Sequence, residues 1–143
     1  MHWKFECDWN RTAFAFGNTI YSKDELPDHL IVHEKVHLNQ QGRNFFTAWI
    51  WLALYLCSKK FRYAMELQAY RAQWQFIKKA KHYRYQWKEN ALEKMAGDLS
   101  DNLYGRIVSF QNHRLGFERS AGFDLQFAFR HRDGRNFADV DAV

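Results

Sequence analysis

Residues 26–42 read Leu26-Pro27-Asp28-His29-Leu30-Ile31-Val32-His33-Glu34-Lys35-Val36-His37-Leu38-Asn39-Gln40-Gln41-Gly42. Pro27 suits a first helical turn, where its missing N–H is no loss. Asp24, Glu25 and Asp28 place negative charge at the positive end of the helix dipole. Ser22 with Glu25 also fits a capping box, which leaves the start open by one turn. Apolar residues recur at Leu26, Leu30, Ile31, Val32, Val36 and Leu38. Gly42 is the expected stop, with Arg43 beside it. The spacing predicts a helix from Pro27 to Gln41.

Inside that helix, His33 to His37 spell H-E-x-x-H. Positions i and i+4 stand one above the other on a helix face, so His33 and His37 can aim two imidazoles at one ion. Glu34 lies beside the first histidine, within reach of a water bound to that ion. Two neutral nitrogen ligands and an adjacent carboxylate are what a zinc hydrolase needs. A surface helix that happens to carry two histidines would give the same letters. His29 extends the stripe, either as a further imidazole for the site or as a first-turn residue facing solvent.

Catalytic zinc usually takes three protein ligands and leaves one position for water. A metzincin would need a histidine six residues after His37, where this chain has Arg43. The inverted H-x-x-E-H order is absent as well. A glutamate on a following helix is the remaining solution, and Glu66 in Glu66-Leu67-Gln68-Ala69-Tyr70 is the candidate. The plainer reading of Glu66 is a solvated residue paired with Arg62 at i−4. His82, Glu89, Glu93 and His113 are weaker substitutes. Asp98 and Asp101 are candidate acceptors for a ligand histidine, or caps of a helix end.

H-E-x-x-H followed by E-x-x-A-Y, with the run His37-Leu38-Asn39-Gln40-Gln41, resembles the gluzincins. The short spacing resembles the minimal phage and bacterial members of that group. The likeness covers roughly residues 19–71. It implies a zinc metallopeptidase, with His33, His37 and Glu66 as Zn²⁺ ligands and Glu34 as general base. Tyr70 stands where many larger gluzincins carry an aspartate that orients a zinc histidine, so that partner is unassigned. For the developing oxyanion, Tyr70, one turn from Glu66, is the first candidate donor, with Tyr104 and Arg71 as rivals. The expected substrate is a peptide or protein. The alternative is a zincin-like accessory protein that binds metal without turnover.

The chain has 143 residues and a formal charge of +5. A single domain over 1–143 is expected. Strands occupy 1–21, a helical core with the metal site 22–103, and a C-terminal extension 104–143. The expected class is α+β, a small N-terminal antiparallel sheet followed by a mainly helical zincin-like domain. Trp3, Phe5, Cys7 and Trp9 alternate with polar residues as a half-buried strand does. Strands at Arg11–Phe16 and Thr19–Tyr21 flank a Gly17-Asn18 hairpin turn. In zincins the edge of such a sheet pairs with substrate. Cys7 and Cys57 sit in no C-x-x-C and read as buried thiols of a cytoplasmic protein without a signal peptide.

Residues 45–57 are apolar except for Thr47. As a helix they span about 20 Å, short of the ~30 Å hydrocarbon core, which points to a central buried helix. Trp49, Trp51 and Tyr55 beside Lys59 and Lys60 also suit peripheral membrane contact. A helix from about Arg62 to Lys81 carries Tyr63, Leu67, Tyr70, Trp74 and Ile77 on one face. Another is expected from about Trp87 to Leu103, with an interruption near Gly97. Lys78, Lys79, Lys81, Arg84 and Lys88 interleave with Tyr83, Tyr85 and Trp87. Nucleic acid binding uses such letters, and so does a charged helix end with a polar linker.

Overall fold

The computed structural model describes residues 13–42, 44–101 and Phe117. It is an α+β fold, as expected: a two-stranded antiparallel sheet and then four helices. β1 (Phe14–Phe16) and β2 (Thr19–Tyr21) pair with Phe14 opposite Tyr21 and Phe16 opposite Thr19. Gly17 turns the hairpin at φ 62°, in the left-handed region that glycine adopts without strain. The strand read at Trp3–Trp9, the extension 104–143 apart from Phe117, Arg43, Tyr104 and His113 lie outside the described residues.

Helix α1 spans Asp28–Gln40. Pro27 is its cap residue, and its carbonyl accepts from Leu30 and Ile31 N–H. Ser22 does not act as a cap. Its hydroxyl donates to the Asp24 carbonyl in a local turn. At the other end Gly42 sits at φ 77°, and a Cβ there would meet Thr47 Oγ1 at 2.7 Å. Only glycine ends the helix there. Buried Gln41 then ties the hairpin to α1: its Oε1 accepts from Gly17 N–H at 2.8 Å, and its Nε2 donates to the Ala15 carbonyl at 2.7 Å.

Helix α3 (Lys59–Lys79) runs through the middle, with α1 on one side and α4 (Tyr85–Leu99) on another. Ser58 caps it by accepting from Phe61 N–H. Its Ala69 and Ala72 are completely buried against Val32 and Val36 of α1. Small side chains at a helix contact let the two axes approach closely. On the opposite side Trp74 and Ile77 pack with Leu92, Met95, Ala96 and Leu99 of α4, and Phe117 closes this cluster. Tyr63, Leu67 and Tyr70 border it. Helix α4 runs unbroken through Gly97 and ends at Leu99, four residues earlier than its periodicity suggests.

Helix α2 (Phe45–Cys57) departs from expectation. Asn44 caps it, accepting from Thr47 N–H. Only Ala48 and Trp51 are buried. The helix lies at the margin against α3, and Phe46 is 78 % exposed. Hydropathy marks the helix as apolar but not which helix packs closely on α3, and α1 takes that place, its Val32 and Val36 against Ala69 and Ala72. Cys57, expected to be buried, is exposed and free. Among the described residues, no helix is long and apolar enough to cross a membrane.

Candidate metal centre

His33 and His37 lie one turn apart on α1, and Glu66 faces them from α3. All three side chains are buried. His33 Nε2 and His37 Nε2 are 3.2 Å apart. Glu66 straddles them, with Oε2 at 3.3 Å from His33 Nε2 and Oε1 at 3.3 Å from His37 Nε2. A tetrahedral ion with bonds of 2.0–2.1 Å holds its ligand atoms about 3.3 Å apart. The two nitrogens and the carboxylate are therefore spaced as three ligands of one such ion. Among the described residues this is the group of histidine, cysteine and acidic side chains suited to a metal.

The outer ring nitrogens settle which atoms face inward. His37 Nδ1 is 2.9 Å from Gln40 Oε1. The orientation of that amide follows from its other end, where Nε2 donates to the Met65 carbonyl at 3.0 Å and to Gln68 Oε1 at 3.1 Å. His37 Nδ1 thus carries a proton, which leaves Nε2 as the ring atom facing Glu66. His33 Nδ1 faces Gln73 Oε1 at 3.0 Å in the same way. Two imidazole Nε2 atoms and a carboxylate converge on one buried point, where a metal ion or protons on the imidazoles balance the carboxylate. Zn²⁺ fits this donor set by ligand type and by spacing.

Where protons supply the positive charge, the acid–base balance shifts accordingly. Burial works against a charged His37, but the hydrogen bond and charge of Glu66 outweigh it, and its pKa rises. Burial likewise opposes a charged Glu66, yet hydrogen bonds from both histidines hold its carboxyl well below the usual carboxylate range. Glu34, also buried, is pushed up by desolvation, while the fields of His33 and His37 pull the other way. Glu34 directly follows His33 on α1.

Several residues sit where the sequence did not suggest. Gln40 and Gln73 hydrogen-bond the outer nitrogens of His37 and His33, the role expected of Asp98 or Asp101. Such partners fix ring orientation, and losing one typically costs 10–100-fold in metal affinity. Gln73→Leu is therefore expected to weaken zinc binding by about that factor with α3 intact, as read by competition with a chromophoric chelator. The signal for both was faint: Gln40 is three residues after His37, and Gln73 two helical turns beyond Glu66.

Tyr55, read as a possible bilayer residue, donates its hydroxyl to Glu66 Oε1. Its ring stacks on Trp51 at 4.8 Å, and Arg62 Nε donates to its carbonyl at 2.8 Å. Arg62 also donates to the Leu56 carbonyl, so it caps α2 from α3. Tyr70 packs its ring edge-on against His33, with centroids 4.6 Å apart, and its hydroxyl donates to Asp98 Oδ2 at 3.3 Å. Arg71 Nε is buried.

His29 stands apart from the metal group. Its Nδ1 meets Tyr83 Oη at 3.2 Å, and its ring lies against Trp87. Burial lowers its pKa, against the pull of Asp28. Tyr83 and Trp87 stack on one another at 4.2 Å, and Lys88 donates to the Lys78 carbonyl. These contacts join α1, α3 and α4. A shallow, largely open apolar depression of about 310 Å³ lies beside Gln40 and Trp51, lined further by Thr47, Ile50, Leu54 and Phe61.

No protein-family model matches this chain, and neither does any curated protein or solved structure.

Proposed function

We propose that the protein is a zinc-dependent hydrolase, a metallopeptidase of the gluzincin type. The observation that carries this reading is the convergence of His33 Nε2, His37 Nε2 and the Glu66 carboxylate at 3.2–3.3 Å, with the buried Glu34 next to His33 on α1. Zinc held there supplies Lewis-acid activation of a water and polarisation of the scissile carbonyl.

The chain does the rest. Gln40 and Gln73 keep the Nδ1 protons in place and so present Nε2 of each histidine as a neutral donor. Tyr55 holds the Glu66 carboxylate. Glu34 takes the proton of the attacking water at its carboxylate and delivers it to the leaving amine. Burial raises its pKa from the ordinary carboxylate value, which strengthens it as a base. The depression against Gln40 and Trp51 suits an apolar substrate side chain. Tyr70 serves as oxyanion donor if its hydroxyl turns from Asp98 towards the site.

A second reading, metal binding without turnover, rests on that same Tyr70–Asp98 bond, which occupies the donor. One experiment separates the two. Protein purified without added metal should hold close to one zinc per chain. It should cleave members of a mixed peptide library, and a chelator should abolish the cleavage. Zinc without cleavage would favour the second reading, and absence of zinc would defeat both.

A further inference from the structure

The outer face of α2 is apolar; Trp49 rests edge-on against Phe16 of β1 at 5.2 Å and Ile50 and Leu54 border the depression beside Gln40, while Phe45 and Phe46 at the start of the helix are the most exposed. Phe45 is 65 % exposed, Phe46 78 % and Ile50 62 %, with Trp49, Leu54 and Leu56 each near half. Contiguous exposed apolar surface of this kind marks a binding surface. Its one hydroxyl, on Thr47, already donates to the Asn44 carbonyl. A protein partner would ordinarily be met by a polar rim, whereas hydrocarbon needs none.

The charge along the chain through this face is one-sided. Between Glu34 and Glu66 the sequence contains no Asp or Glu, while Lys59 and Lys60 stand exposed just beyond the end of α2. Ala48 and Trp51 pin the inner face to the protein, so α2 can lie flat on a surface over about 20 Å. We propose that this face docks on an anionic lipid bilayer, with the Phe45, Phe46 and Trp49 rings in the interface and Lys59 and Lys60 among the headgroups. This surface does not depend on the metal centre.

Flotation of the full chain with vesicles tests this. It should float with vesicles of three parts phosphatidylcholine to one part phosphatidylglycerol, and far less with phosphatidylcholine alone. Phe45→Glu with Phe46→Glu should lower that binding at least about tenfold. Both positions lie in the first turn, where acidic residues suit the helix dipole, so the melting curve by circular dichroism should not fall. Lys59→Glu with Lys60→Glu should also lower it at least about tenfold and remove the preference for anionic vesicles, since each basic side chain contributes about fivefold. The proposal is overturned if the full chain stays in the soluble fraction or if the double Phe variant floats like the parent. It is equally overturned if size-exclusion shows a dimer that the Phe variant dissociates and no vesicle binding, which would make a second copy the occupant.

Discussion

Glu34→Gln is expected to retain one zinc per chain and to lose peptide hydrolysis by about 10²–10⁴-fold in kcat, the usual contribution of a general base. The two side chains have the same shape, so packing on α1 is kept. The amide cannot take a proton from water. Stability should not suffer, because a buried carboxyl whose pKa is raised by desolvation gives the fold nothing by ionising. Zinc content, melting temperature and turnover are therefore expected to respond separately: the first two steady, the last collapsed. Hydrolysis at the parental rate in a zinc-loaded variant would remove Glu34 from the role of base.

The second large effect concerns Glu66 and pH. Removing this carboxylate leaves two imidazoles facing each other with no anion between them. Breaking a buried pair in this way typically costs about 3–5 kcal/mol. Glu66→Ala is expected to lose zinc on dialysis and to melt well below the parent.

In the metal-free parent, His37 is raised above its ordinary 6.5. Its contribution to stability is therefore complete below that value and disappears as pH rises through the raised pKa. Glu66 is lowered from 4.5, so its contribution is present above that value and persists until pH falls through the lowered pKa. Metal-free protein should thus be most stable between about pH 4.5 and 6.5 and should weaken above. Zinc acts in the opposite sense, because it needs neutral histidines. The gain in melting temperature on adding zinc should be slight near pH 5.5 and full by about pH 8. A gain that does not grow with pH would mean that protons and zinc do not compete for these nitrogens. In Glu66→Ala both trends should flatten.

The geometry also explains why a histidine pair on a helix becomes a demanding site here. His33 and His37 would be ordinary surface residues if α3 stood a few ångströms further away. Ala69 and Ala72 bring the two helices together. That closeness buries the imidazoles, delivers Glu66 between them and lets Gln40 reach the Met65 carbonyl of the opposite helix. The Ala69 of the E-x-x-A-Y motif thus has a packing role alongside the proposed ligand role of Glu66.

Much of this was legible along the chain because it depends on local geometry. The i, i+4 spacing puts His33 and His37 on one face whatever surrounds the helix. Gly17-Asn18 and Gly42 mark the turn and the stop through the backbone angles that glycine permits. The stripe from Tyr63 to Ile77 marks the side of α3 that meets α4, but not the more deeply buried side with Glu66, Ala69, Ala72 and Gln73 that meets α1. Glu66 was reachable by elimination and family likeness. Other features depend on the angle at which one helix presents itself to another, which no periodicity encodes. Gln73 meets His33 across forty positions of sequence, and Tyr55 reaches Glu66 only because α2 lies alongside α3. The exposure of α2 has the same origin. Hydropathy states that its residues prefer to leave water, but packing decides which helix has a neighbour, and α1 occupies the place that α2 would need.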